Sequence, residues 1–251
     1  MTPELRATIE DAYAVFGAYD LGGALIVCNC NVCVSKENER QLIQTPLREI
    51  PAKLLAEYTN SAHGWDDVVV ANEMRYFLPR YFELIAQGDP PDHMDLDICL
   101  RRLGHADWRD KWPDKEADVI DRFFDALIVS SLPQLGLARW PVGWRLSFDL
   151  TDVLTLIVTA RGDIGRALAA WDAADDPAAA IHMAALRERL AFKDGCMRLC
   201  SAYLERDHTD EAAHIGAFLI RPEVNRRIEA AFFSVEDPRL QQILSDALIF
   251  N

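Results

Sequence analysis

The chain has 251 residues, 26 Lys+Arg against 40 Asp+Glu, a formal net charge of -14, and half its residues are hydrophobic. That apolar content excludes wholesale intrinsic disorder, because such a chain buries enough surface to offset the entropy of ordering. The excess of acid repels phosphate and makes nucleic acid an unexpected partner, whereas it favours a basic protein.

The dominant pattern is helical spacing of apolar residues, so the expected fold is all-α: an irregular multi-helix bundle or a solenoid-like stack of α-α hairpins. Thr2 can cap a first helix with Pro3 in its first turn, and Leu5, Ile9, Ala12, Tyr13, Phe16 and Tyr19 share a face until Gly22 and Gly23. Residues 24–34 do not read as helix. Ser35 opens a second helix with Leu42 and Ile43; Thr45-Pro46 and Ile50-Pro51 mark further starts, the latter leading into Leu54, Leu55 and Tyr58. Residues 66–87 are apolar on one side, and Pro79 is expected to kink or split that helix. After the breaker Gly88-Asp89-Pro90-Pro91, a short helix is expected over 95–103, ending at Gly104. Pro113 begins another, with Val119, Ile120, Phe123, Phe124, Leu127 and Ile128 as its core face.

Helical periodicity fails between Leu132 and Asp149, and this divides the chain into an N-terminal half, 1–135, and a C-terminal half, 136–251, packed as one unit. Trp140 and Trp144 are expected to be buried in the connection. Helices are then expected near 150–160, 163–173, 177–191, 195–205, 209–219, 222–233 and 237–249. No apolar run reaches the roughly 18–20 residues that span a bilayer. The opening Thr2-Pro3-Glu4-Leu5-Arg6 lacks the pattern of a secretory leader, so a cytoplasmic protein without membrane contact is expected.

The sharpest chemical signal is Cys28-Asn29-Cys30-Asn31-Val32-Cys33 in the non-helical stretch. A Cys-x-x-Cys pair on a tight turn can aim two thiolates at one tetrahedral ion, and Cys28 joins them if the backbone there is extended. Zinc suits such thiolates in a reducing compartment. His63 is the expected fourth ligand, with His93 and Cys99 as alternatives. A thioredoxin-like role for Cys30 and Cys33 lacks the β-α-β context that accompanies it. Cys196 and Cys200, four apart, are expected to share a helix face as core residues.

Other clusters read as structure. His208 and His214 are six apart, too far for a zincin helix, so Asp210 and Glu211 fit better as first-turn partners of a helix dipole. Asp92, His93, Asp95 and Asp97 could hold a hard cation but fit the start of a helix better. Arg75 and Arg80 flank an aromatic segment as salt-bridged arginines or, alternatively, as an anion site. Arg101, Arg102, Arg109 and Lys111 form the local basic cluster on which nucleic-acid binding would rest.

The Cys-x-Cys-x-x-Cys turn, Thr45-Pro46-Leu47-Arg48-Glu49-Ile50 and Arg75-Tyr76-Phe77-Leu78-Pro79-Arg80 together resemble a group of uncharacterised bacterial helical proteins, over residues 13–86. The resemblance implies a shared architecture and shared metal binding, and transfers no catalytic residue. The expectation is an acidic helical interaction module with a structural zinc at Cys28, Cys30, Cys33 and His63, masking a basic protein in the manner of an immunity protein or antitoxin. A metal-dependent hydrolase or thiol redox protein on the same turn is the alternative.

Overall fold

Thr2 accepts the amide of Leu5 at 3.2 Å and Pro3 occupies the first turn, which starts α1 (Pro3–Phe16) where the sequence places it. Ser35 likewise accepts from Asn38 and caps α2 (Lys36–Gln44). The computed structural model describes residues 1–28, 30, 33–62, 67–92 and 96–249. Among these residues it is mostly helical, with two small antiparallel hairpins. Two compact units are distinguishable: 1–127 with 159–162, and 128–158 with 163–251.

In the first unit a 3-10 turn (Leu47–Glu49) and α3 (Ala52–Asn60) precede α4 (Asp67–Ala86). Met74, Phe77, Leu78, Tyr81, Phe82, Leu84 and Ile85 are all buried, so α4 is enclosed around most of its girth and runs through the centre of the unit. Pro79 does not split it. One lost backbone hydrogen bond is outweighed by packing on several sides, because tertiary burial rather than local propensity supplies most helical stability. A second 3-10 turn (Leu96–Ile98), α5 (Arg101–His105), α6 (Trp108–Lys111) and α7 (Asp114–Ser131) follow. The expected core face of α7 is buried throughout, and Phe123 stacks on Phe82 of α4 with ring centroids 3.7 Å apart.

Three boundaries differ from expectation in this unit. α1 stops at Phe16 rather than at Gly22-Gly23, and beyond it the Tyr19 hydroxyl donates to Glu116 Oε1 at 2.6 Å. The helix expected over 95–103 is a 3-10 turn followed by α5. Gly104 lies inside α5, where a Cβ would sit 2.2 Å from the carbonyl oxygen of Thr159; its role is close backbone approach, not termination.

The second unit holds the hairpin β1 (Leu137–Trp140) and β2 (Gly143–Leu146), then α8 (Thr151–Thr159), whose last residue falls in the first unit, α9 (Ile164–Asp172) and α10 (Pro177–Arg187). A second hairpin, β3 (Leu190–Lys193) and β4 (Cys196–Leu199), precedes α11 (Leu204–Asp207), α12 (Thr209–Leu219), α13 (Pro222–Ser234) and α14 (Pro238–Ile249). The first hairpin falls in the stretch where helical periodicity fails, whereas the second corrects the sequence reading. The helix expected over 195–205 is replaced by β4, because Asp194 and Gly195 take positive φ values of 49° and 84°, the geometry of a tight two-residue turn. Cys196 and Cys200 therefore share no helix face; Cys196 is in β4 and Cys200 follows it. Trp140 is 49% exposed beside the β1–β2 turn, against the expectation that it would be buried. Arg187 is buried and donates through Nε and Nη2 to the carbonyl of Leu219 and through Nη1 to that of Ala247, tying the ends of α12 and α14 together.

Candidate metal centre

The segment leading to the cysteines alternates inward and outward. Leu25 and Val27 are buried, as is Val34 beyond the turn, so apolar side chains sink into the first unit on both sides of the motif. Cys28 and Cys33 are partly exposed and Cys30 is exposed. A chain in this conformation forms no regular ladder, and its amides need partners. Three come from distant side chains. The amide of Leu25 donates to Glu39 Oε1 of α2 at 3.0 Å, that of Ile26 to Glu73 Oε1 of α4 at 2.6 Å, and that of Cys28 to Ser61 Oγ, just past α3, at 2.9 Å.

Two of these anchors are themselves held. Tyr58 donates to Glu73 Oε2 at 2.9 Å, and the guanidinium of Arg102 donates to the Ser61 carbonyl at 2.6 Å while lying 4.1 Å from the Tyr58 ring centre. Burial pushes the Glu73 carboxyl above its usual range; the Ile26 amide, the Tyr58 hydroxyl and the Arg102 charge act against it.

The loop so fixed brings the sulfurs of Cys28, Cys30 and Cys33 within 4.8 Å of one another, and no disulfide links them. The separation suits one ion: metal–sulfur bonds of about 2.3 Å in a tetrahedral site place sulfurs about 3.8 Å apart. The Cys30 amide lowers the Cys28 thiol pKa, but the neighbouring thiols of Cys30 and Cys33 outweigh it and the net shift is upward. A divalent ion bound between the sulfurs would act in the opposite direction and displace the protons.

Of the expected fourth ligands, His63 and His93 lie outside the described residues. Cys99 is buried and does not belong to the cluster, and burial holds its thiol pKa well above the ordinary value. Among the described residues the three cysteines are the only group of this kind; of Asp92, His93, Asp95 and Asp97, His93 and Asp95 lie outside the described set.

The arginine pair of α4 is spent on structure. Arg75 Nε donates to Glu116 at 3.0 Å with its guanidinium 4.2 Å from the Trp112 ring, and Arg80 binds Glu83 at 2.6 Å and the Ile50 carbonyl at 2.8 Å. The cluster at Arg101, Arg102, Arg109 and Lys111 does not form a continuous free basic face: Arg102 is buried, Arg109 pairs with Asp121 and Lys111 with Asp107. Glu39, Glu73 and Ser61, which position the loop, escape sequence reading, since each is an ordinary polar residue far along the chain from the amide it holds. Comparison with protein families, curated proteins and solved structures gave no match.

Proposed function

We propose that the protein is an acidic helical interaction module whose Cys28, Cys30 and Cys33 bind a zinc ion that clamps the 24–34 loop to the first unit. The observation that carries this reading is the gathering of three sulfurs within 4.8 Å on a loop pinned through the amides of Leu25, Ile26 and Cys28. A loop already held in place loses little further entropy when it closes on an ion. His63, two residues after Ser61 in the sequence, is the fourth ligand on this reading. The partner class follows from charge. Many arginines are engaged by the protein's own acids, as in Arg48–Glu10, Arg122–Asp11 and Arg239–Asp237, and the net charge of -14 favours a basic protein partner, of the kind an immunity protein or antitoxin masks.

Elemental analysis of protein purified without added metal tests the clamp. About one zinc per chain is expected, with loss of metal and of thermal stability in Cys28→Ser and Cys33→Ser, and loss or weakening of metal in His63→Ala. Absence of metal from the native protein, even after equilibration with zinc, overturns it. Recovery of a basic protein in a pull-down whose yield falls with salt supports the partner class, and salt-insensitive or empty pull-downs count against it.

The exposure of Cys30 favours one second reading, thiol or metal-hydroxide chemistry at an open position. X-ray absorption separates the two: three sulfurs and one nitrogen mark a closed clamp, three sulfurs and a water mark a reactive site.

A further inference from the structure

We infer that the first unit carries a binding pocket for a small oxoanion, a carboxylate or phosphate group, at Arg102. A cavity of about 330 Å³ is lined by Thr59, Ser61, Asp92, Arg101, Arg102 and His105, among others. That volume is within the range of small-ligand pockets. Arg101, Arg102 and His105 all come from α5, so one short helix supplies two permanent positive charges and an imidazole to the wall.

Arg102 is the informative residue. It is 97% buried, being 3% exposed, yet only Nη2 has a hydrogen-bond partner, the Ser61 carbonyl; Nε and Nη1 have none among the described residues. A guanidinium carries five N–H donors and cannot shed its charge, so leaving two of its nitrogens buried and unpaired is costly. The Tyr58 ring covers the guanidinium at 4.1 Å and offers no acceptor to its N–H groups. Glu73 is the acid whose charge Arg102 stabilises, but it makes no hydrogen bond to Arg102. The missing partner is therefore an acceptor with several oxygens, and oxoanions match a guanidinium in geometry and charge. Asp92 also lines the cavity. Ser61 belongs both to this wall and, through its hydroxyl, to the anchor of Cys28, so the pocket adjoins the cysteine loop.

The test is calorimetric titration of the full chain with inorganic phosphate and, separately, with succinate, at constant ionic strength with sodium chloride as the reference. Saturable binding of either anion is expected. Arg102→Lys, which keeps the charge and loses the fork, should weaken it about tenfold or more. Arg101→Ala should weaken it severalfold, and Arg40→Ala, on α2 and paired with Glu37, should leave it unchanged. Phosphate without succinate, or the reverse, keeps the proposal and assigns the ligand class. No saturable binding of either anion overturns it, as does binding equally strong in the Arg101 and Arg102 variants; if Arg102→Lys does not fold, an undiminished affinity in Arg101→Ala overturns it.

Discussion

Glu73 on α4 accepts the amide of Ile26 at 2.6 Å, so a buried carboxylate fixes the chain two residues before Cys28. Because the same carboxylate also accepts from Tyr58, Glu73→Gln must leave one of these contacts weakened or unmade, at a cost of about 1–3 kcal/mol in chemical denaturation. The pH dependence has a definite sign. Burial raises the Glu73 pKa above its ordinary 4.5, so the native state keeps this proton to higher pH than the unfolded chain does. The stability contributed through Glu73 is therefore fully present below 4.5 and declines as pH rises through the raised value. The difference between wild type and Glu73→Gln should fall across that window; a difference that grows with pH would contradict the assignment.

Ser61 allows the loop to be perturbed without touching a sulfur. Its hydroxyl accepts the Cys28 amide at 2.9 Å, and removing it in Ser61→Ala leaves that amide without its acceptor. On the zinc reading, affinity measured by competition with a chromophoric chelator should fall about tenfold, the usual effect of losing a group that orients a ligand. The metal-to-chain ratio at saturation should not change. Unaltered affinity would show that the loop reaches its binding geometry without Ser61.

These anchors also mark where the sequence stops being informative. The caps at Thr2 and Ser35 and the buried face of α7 are legible because their causes lie within a few residues. The clustering of Cys28, Cys30 and Cys33 is legible for the same reason. The amide partners of the loop are not, since Glu39, Ser61 and Glu73 stand 14, 33 and 47 residues from the groups they hold, and only the packed fold brings them there. The β3–β4 hairpin is a different case. Asp194-Gly195 is a hairpin signal in plain view, but the four-residue spacing of Cys196 and Cys200 and the surrounding helices favour reading the segment as helix. Glycine positions carry similar ambiguity: Gly104 reads as a helix stop and is in fact a point of backbone contact.

Gly216 tests that contact logic in the second unit. It lies within α12, where alanine would ordinarily be favoured by about 1 kcal/mol. A Cβ there would stand 2.2 Å from the Met197 carbonyl oxygen of β4, and both obstacles to relief, a helix and a strand, are backbone. Steric cost should win: Gly216→Ala is expected to destabilise by about 1–3 kcal/mol in urea denaturation. Gly22→Ala, where no neighbouring atom lies within 4 Å of the new methyl, should change stability by no more than about 0.5 kcal/mol. Equal midpoints for the two variants would mean that α12 and β4 can separate at little cost.

His182 gives the second unit an acid sensitivity of its own. The ring is fully buried on α10, with Nε2 3.1 Å from the Leu132 carbonyl and the edge of Phe148 beside it, and Nδ1 has no partner among the described residues. With a carbonyl opposite it, Nε2 must be the protonated nitrogen, and a second proton would place an unpaired charge in the core. Burial accordingly pushes the pKa down from 6.5 to about 4, against smaller upward pulls from the Leu132 carbonyl and Asp149. The unfolded chain takes up its proton first as pH falls, so the stability associated with neutral His182 is complete above 6.5 and is lost between 6.5 and about 4. The shift corresponds to about 3 kcal/mol. His182→Gln cannot ionise, so denaturation curves collected across this range should show wild type losing about 3 kcal/mol relative to the variant. If the two proteins instead lose stability in parallel, the imidazole is taking up its proton without penalty, and water or a carboxylate must be reaching Nδ1.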